Sequence, residues 1–354
     1  MRPVRLAANP VQHFYRGGER IARLRGFTPT TDHQPEEWVA ATVSRFGHAG
    51  AGLALTDDGD LLRDLVAADP ETWLGAWPAA SRRSAAADTG LLVKLLDAGQ
   101  RLPVHVHPDR GFAARHLDCP YGKTEAWFVL DVEPGAAVYL GWREDVDSRD
   151  LTAAREAQDS DWMLSRMHRI EVGPGDGFLV PAGQVHAIGE GVFVVEAQEP
   201  TDFSILLEWS VTTSDREDSH LGLGFEVAMD AVSHRALGSE DLDALGRHVE
   251  PGTTSAAPQR CLPEAADPFF RMELLAPAGE PVGPVPAGFA SVVVLDGDGV
   301  LCSDADGGEV EVSRGELLAV PAAFGPWSVQ GAVRALVSRP GIGWPANLVF
   351  PAGG

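Results

Sequence analysis

Short apolar runs, cut at close intervals by glycine and proline, dominate the chain. Runs of that size predict strands, and their spacing favours an all-β sandwich or barrel over alternating strands and helices. Strands are expected at Gly90–Asp97, Leu102–His107, Lys123–Asp131, Ala137–Gly141, Ile170–Val172, Gly177–Val180, Val192–Ala197 and Phe203–Val211. Three segments read as helices instead. Pro35–Phe46 opens with proline and two acids, as helix starts prefer, while Leu61–Ala68 and Leu151–Met167 place apolar residues three and four apart.

Past residue 212 the pattern changes. Ser239–His248 reads as a short helix and Pro251–Pro258 as a linker, and strands and turns resume from Phe269. GELLAVPAAFGPW there echoes GDGFLVPAGQVHA near residue 180, a weak repeat that predicts a second barrel related to the first. The second copy lacks the histidine, so it is expected to be structural. The division expected is 1–215 for a catalytic barrel with helical segments (about 35–68 and 151–168), 216–260 for a connector and 261–354 for the second barrel.

Charge narrows the partners. Against 51 acids stand 28 bases, a net charge of −23, and that field repels nucleic acid and anionic membranes. An anionic substrate therefore needs a local basic pocket. Cys119, Cys261 and Cys302 are odd in number and lack CxxC spacing, which excludes a disulfide frame and points to a reducing compartment. The opening residues lack the apolar core of a signal peptide, and no apolar run is long enough to span a bilayer. A soluble cytoplasmic protein, monomeric or homodimeric, is expected.

The candidate chemistry starts at His105-Val106-His107. Residues two apart on a strand share a face, so both imidazoles point into one cavity. Lys123 and Glu125 repeat this arrangement, and Gly175–His186 encloses a short strand between tight turns, with His186 just beyond the second. Three imidazoles and a carboxylate suit one divalent ion such as Zn²⁺, Fe²⁺, Mn²⁺, Co²⁺ or Ni²⁺. The expected ligands are His105, His107, Glu125 and His186. His13, His116 and His168 lack ligand spacing and are expected to be structural or solvent-facing. Of the 28 bases only Lys94 and Lys123 are lysines, both on strands flanking this cavity. Where arginine serves every generic need, two retained ammonium groups mark a site that requires them.

The Gly-x5-His-x-His and Gly-x5-Pro-x-Gly-x2-His spacings resemble the two halves of the cupin metal signature, which implies two cupin (jelly-roll) barrels and a mainly β fold. LLVKLLDAGQRLPVHVHP, GKTEAWFVLD and PAGQVHAIGEGVFVVEAQEPTD, with NPVQHFYRGG and PEEWVAATV near the start, resemble class I mannose-6-phosphate isomerases over about residues 7–210. The resemblance implies a metal-dependent aldose–ketose isomerase converting mannose 6-phosphate to fructose 6-phosphate. It maps active-site lysines onto Lys94, for substrate binding, and Lys123, for catalysis, and an acidic residue, the candidate base, onto Glu196. Four positions depart from the family pattern: His105 for glutamine, Pro103 for a serine near the phosphate, Leu206 for an arginine, and Arg16 for a tryptophan. Arg16, Arg20, Arg110 or Arg115 are candidates to replace the lost phosphate partners, Arg16 and Arg110 foremost. The competing readings are an isomerase or epimerase of an unphosphorylated sugar, a non-catalytic sugar-binding cupin, and an iron oxygenase.

Overall fold

The computed structural model describes residues 1–75, 88–303, 305 and 308–348; the last residues of the expected second barrel, 349–354, lie outside them. Strands β1 (Val4–Arg5) and β2 (Pro10–Val11) precede helix α1 (Arg20–Arg25) and strand β3 (Glu36–Val39). Helices α2 (Leu62–Ala68) and α3 (Pro70–Leu74) follow, then β4 (Leu92–Asp97), β5 (His105–Val106), α4 (Arg110–His116), β6 (Glu125–Val132) and β7 (Ala137–Trp142). Next come α5 (Ser148–Ala157), α6 (Ser160–Arg166), β8 (Met167–Glu171), β9 (Asp176–Val180), β10 (His186–Ile188), β11 (Val192–Gln198) and β12 (Ile205–Leu206). The remainder holds α7 (Phe225–Ala228), α8 (Ser239–Ala244), β13 (Gly246–His248), β14 (Gln259–Arg260), β15 (Phe270–Leu275), β16 (Val282–Val285), β17 (Ala290–Ser303), β18 (Glu309–Ser313), β19 (Leu317–Val320) and β20 (Trp327–Pro340).

These strands form three antiparallel sheets. A seven-stranded sheet in the order β13-β9-β6-β11-β4-β3-β2 and a five-stranded sheet in the order β12-β5-β10-β7-β8 build the N-terminal β unit. An eight-stranded sheet around β17 and β20 builds the C-terminal one, enclosing Val292, Leu301, Leu318, Val329 and Val337. Mainly β architecture with helical segments around the first unit is thus as expected. The chain is less cleanly partitioned than its sequence suggests. β1 pairs with β19 in the C-terminal sheet, and β13 pairs with β9 in the N-terminal one.

Two expected helices are corrected. Pro35–Phe46 is no helix: Glu36–Val39 is a buried strand held between β2 and β4. Its two acids are not helix-start charges but buried ion-pair partners, Glu36 of Lys94 at 3.2 Å and Glu37 of Arg25 at 2.9 Å. Tertiary partners here override a local helix signal. Leu151–Met167 splits at Gln158, which takes the left-handed conformation (φ 53°), and Asp159 caps the next helix by accepting from the Trp162 N–H. The break frees Gln158 to accept from the Trp209 and Ser210 N–H groups at 2.6 and 2.8 Å. Phe203–Val211 shortens to the two paired residues of β12, and Ser239–His248 ends as a helix at Ala244 before β13.

Two glycines show what the motif spacings are for. A Cβ on Gly99 would lie 2.1 Å from the Gly17 carbonyl oxygen, so only glycine lets the N-terminal strap cross the end of β4. Gly183 adopts φ 86°, and its N–H donates to the His107 carbonyl at 2.8 Å, which joins the two histidine segments.

Candidate metal centre and active site

The two sheets of the N-terminal unit each present one row of side chains to the cavity. Across the larger sheet, Trp38, Lys94, Glu196, Trp127 and Phe178 are successive cross-strand neighbours. Glu36 and Glu125 sit two residues along β3 and β6, on the same face. Across the smaller sheet the row runs Leu206, His105, His186, Leu140. Lys123 and His107 flank β6 and β5, and all of these ionisable groups are buried.

His105, His107, Glu125 and His186 converge so that one ligand atom from each lies within 4.8 Å of the others. Each imidazole places Nδ1 against a backbone carbonyl: His105 on Pro103 at 2.8 Å, His107 on Phe203 at 2.7 Å and His186 on Gln184 at 2.8 Å. Those bonds fix the proton on Nδ1 and turn the Nε2 lone pairs inward, the tautomer a metal ligand needs. The Nε2 atoms of His107 and His186 stand 3.2 Å apart, with Glu125 carboxylate oxygens 3.0 and 3.2 Å from them. Glu125 Oε2 has no hydrogen-bond partner. Lone pairs facing one another beside a buried carboxylate form an electron-rich pocket, and this donor set fits a divalent cation.

The surrounding charges are graded. Burial pushes the His107 ring down to about 3 and the His105 ring well below its ordinary value, so both are neutral donors. Burial would raise Glu125, but His107, His186 and Lys123 overcome it and keep the carboxyl well below the usual range. Burial and the neighbouring Glu125 charge push Glu196 well above it. Burial would depress Lys94, yet Glu36, Glu196 and Asp202 hold its ammonium firmly protonated. Lys94 Nζ lies 3.7 Å from Asp202 and 4.9 Å from the centre of the Trp38 ring. Lys123 Nζ lies 3.7 Å from Glu125 and donates to Ser204 Oγ at 3.4 Å.

The cavity over this cluster measures about 30 Å³, and Lys94, Lys123, Glu196, Pro103 and Leu206 share its wall. It adjoins a vestibule of about 470 Å³ through His13, Phe14, Asp202, Ser204 and Leu206, which line both. Seven of the nine residues singled out in the sequence thus gather here. Arg16 and Arg110 do not. Arg16 is exposed and bonds Gln100 at 3.1 Å, while Arg110 pairs with Glu199 at 2.5 Å.

Tyr15, Glu36, Asp202 and Ser204 line the cavity without having been singled out, and so does His13, which was expected to be structural or solvent-facing. His13 is the sharpest case. Burial takes its ring down to about 4 despite Glu36 at 3.8 Å, and neither ring nitrogen is hydrogen-bonded. Tyr15 donates to Glu36, as does the Trp38 indole at 2.7 Å. With Lys94 these bonds hold the Glu36 carboxyl far below its ordinary range in spite of burial. The available signal was Lys94 itself, since a buried ammonium requires a buried acid.

Fold and site together define a cupin-type β protein whose His₃Glu cluster could hold a metal ion. No family model matches the chain. Among curated proteins it is 26% identical over 250 residues to a probable mannose-6-phosphate isomerase of Bacillus subtilis (strain 168), covering 71% of this chain and 75% of that one. It is 29% identical over 254 residues to the mannose-6-phosphate isomerase of Streptococcus mutans (70% and 73% of the two chains). The crystal structure of the Bacillus subtilis mannose 6-phosphate isomerase superposes with a TM-score of 0.70 at 21% identity, over 96% of this chain and 100% of that one. Over about 70% of its length the chain is thus similar to mannose-6-phosphate isomerases, and it shares the fold of a solved one.

Proposed function

We propose that the protein is a metal-dependent aldose–ketose isomerase that interconverts mannose 6-phosphate and fructose 6-phosphate through an enediol. The observation that carries this reading is the convergence of Lys94, Lys123 and Glu196 with the His₃Glu cluster in one buried cavity. The reaction removes a proton from the carbon beside a carbonyl and returns it one carbon over. Its two costs are the weak acidity of that C–H and the negative charge that develops on oxygen. A divalent ion held by His105, His107, Glu125 and His186, Zn²⁺ as first choice, supplies Lewis-acid stabilisation of that charge.

Glu196 is assigned as the base that lifts the proton and delivers it to the adjacent carbon. Its dry surroundings raise proton affinity, which favours abstraction once the carboxyl is ionised. Lys123 donates a hydrogen bond to the developing oxyanion, and Lys94 binds a substrate hydroxyl. Tyr15, Trp38 and Glu36 hold Lys94 in place from behind. Among the described residues no helix is long and apolar enough to cross a membrane. Cys119 and Cys261 carry thiols, which supports placing the enzyme in the reducing cytoplasm.

The apolar Leu206 beside His105 favours a second reading, isomerisation of an unphosphorylated sugar. Turnover of mannose 6-phosphate beside mannose, lyxose and fructose, each with and without chelator, tests both. Chelator-sensitive conversion of the phosphate ester is the expected result. Conversion of free sugars alone selects the second reading, and conversion of none removes both.

A further inference from the structure

Arg45 lies on the loop between β3 and α2 and lines the vestibule outside the metal cavity. Its side chain is half-buried and has no hydrogen bond or ion pair among the described residues. Other half-buried arginines of this unit are paired: Arg20 with Asp97, Arg25 with Glu37, Arg101 with Glu208 and Arg110 with Glu199. Asp202, Glu217 and Asp218 line the same vestibule, yet none of them takes Arg45. Asp202 is engaged instead by Lys94 and by the Phe46 N–H at 3.2 Å, and Glu217 by Arg216 at 3.6 Å. In a chain of net charge −23, a guanidinium left unpaired at the mouth of a site is presented to a ligand.

The inner wall gives that ligand's position. Leu206 and Pro103 leave the wall beside His105 without a group to bind an anion. Leu206 also lines the vestibule, and among the described residues lining it the uncommitted cation is Arg45. A hexose 6-phosphate carries its phosphate at the opposite end from C1 and C2. With those carbons at the metal cluster, the phosphate reaches outward into the vestibule. We infer that Arg45 anchors the substrate's phosphate through paired N–H donors, so that phosphate recognition sits on the outer loop and not on β12. The inference rests on the isomerase reading above. Phe46 at the rim, 44% exposed and edge-on to Phe203 at 5.6 Å, gives the sugar ring an apolar neighbour.

The test compares wild type, Arg45→Gln and Arg45→Lys, with thermal melting and metal content as controls for folding. The expected result for Arg45→Gln is a tenfold or greater rise in KM for mannose 6-phosphate with kcat changed less than threefold. The ratio of kcat/KM for mannose 6-phosphate over mannose falls in parallel, and competitive inhibition by inorganic phosphate weakens about tenfold. Arg45→Lys recovers part of each. An unchanged KM and an unchanged phosphate inhibition constant in Arg45→Gln overturn the inference while leaving the isomerase reading intact. Should wild type convert no hexose phosphate, the isomerase reading fails on its own. Calorimetric titration with inorganic phosphate then decides the anion site: binding lost in Arg45→Gln supports it, and binding absent or unaltered overturns it.

Discussion

At the scale of residues, the site depends on which groups are kept charged and which neutral. Glu196 opposite Lys94 on neighbouring strands is assigned the proton transfer. Glu196→Gln is expected to lower kcat by about a hundred- to ten-thousandfold, the range of a lost general base, with metal content unchanged. Retained turnover would reassign the base. His13 carries a pH signature. Its ring falls from an ordinary 6.5 in the unfolded chain to about 4 in the fold, so between those values the unfolded chain binds more protons. Its contribution to stability is present above pH 6.5 and is lost as pH falls towards 4. Urea unfolding of metal-loaded wild type and His13→Asn should differ by a slope of up to ~1.4 kcal/mol per pH unit in that window. Parallel curves would show that His13 does not titrate there. The His₃Glu cluster was legible in the sequence because strand alternation and glycine spacing are local. His13, Glu36 and Asp202 were not, because they meet only through the register of distant strands. Arg16 and Arg110 illustrate the same boundary: composition calls for a cation near the phosphate but does not say which face a given arginine occupies.

At the scale of elements, strands were read more securely than helices. β4, β6, β7 and β11 fall within a residue or two of their expected bounds, since their apolar runs end at turn residues. Glu36–Val39 was misread because proline followed by acids starts a helix only where those acids meet solvent or the helix's own N–H groups. Here Lys94 and Arg25 claim them. The long helix expected at Leu151–Met167 missed Gln158, whose amide serves a loop some fifty residues away, a demand that periodicity does not carry. The Gly99 crossing also belongs to this scale. Gly99→Ala forces a methyl against the Gly17 carbonyl and is expected to cost about 1–3 kcal/mol, the range of an overpacked contact. Because the displaced strap also carries His13 and Tyr15, KM should rise along with the loss of stability. An unfolding midpoint unchanged in urea would show that the strap yields freely.

At the scale of the whole molecule, an ion held by the His₃Glu cluster would also be a fastener, for the cluster draws on both sheets of the N-terminal unit: His105 and His186 from the smaller, Glu125 from the larger. Removing the ion should lower the melting temperature as well as abolish turnover, with both restored by a stoichiometric divalent ion. A chelated protein that melts unchanged would confine the ion to chemistry. That the chain holds two β units was legible from the repeated Gly–apolar–Pro-Ala pattern, whereas their interlacing was not, because β1 and β13 are too short to announce a partner. That interlacing bears on synthesis. Val4 and Arg5 leave the ribosome long before Ala319 and Leu318, against which they pair. The C-terminal sheet therefore cannot take up its edge strand until β19 has been made, and β1 must stay unclaimed until then. A purification tag or fusion partner attached ahead of β1 would sit beside the C-terminal sheet, where it could slow that late closure.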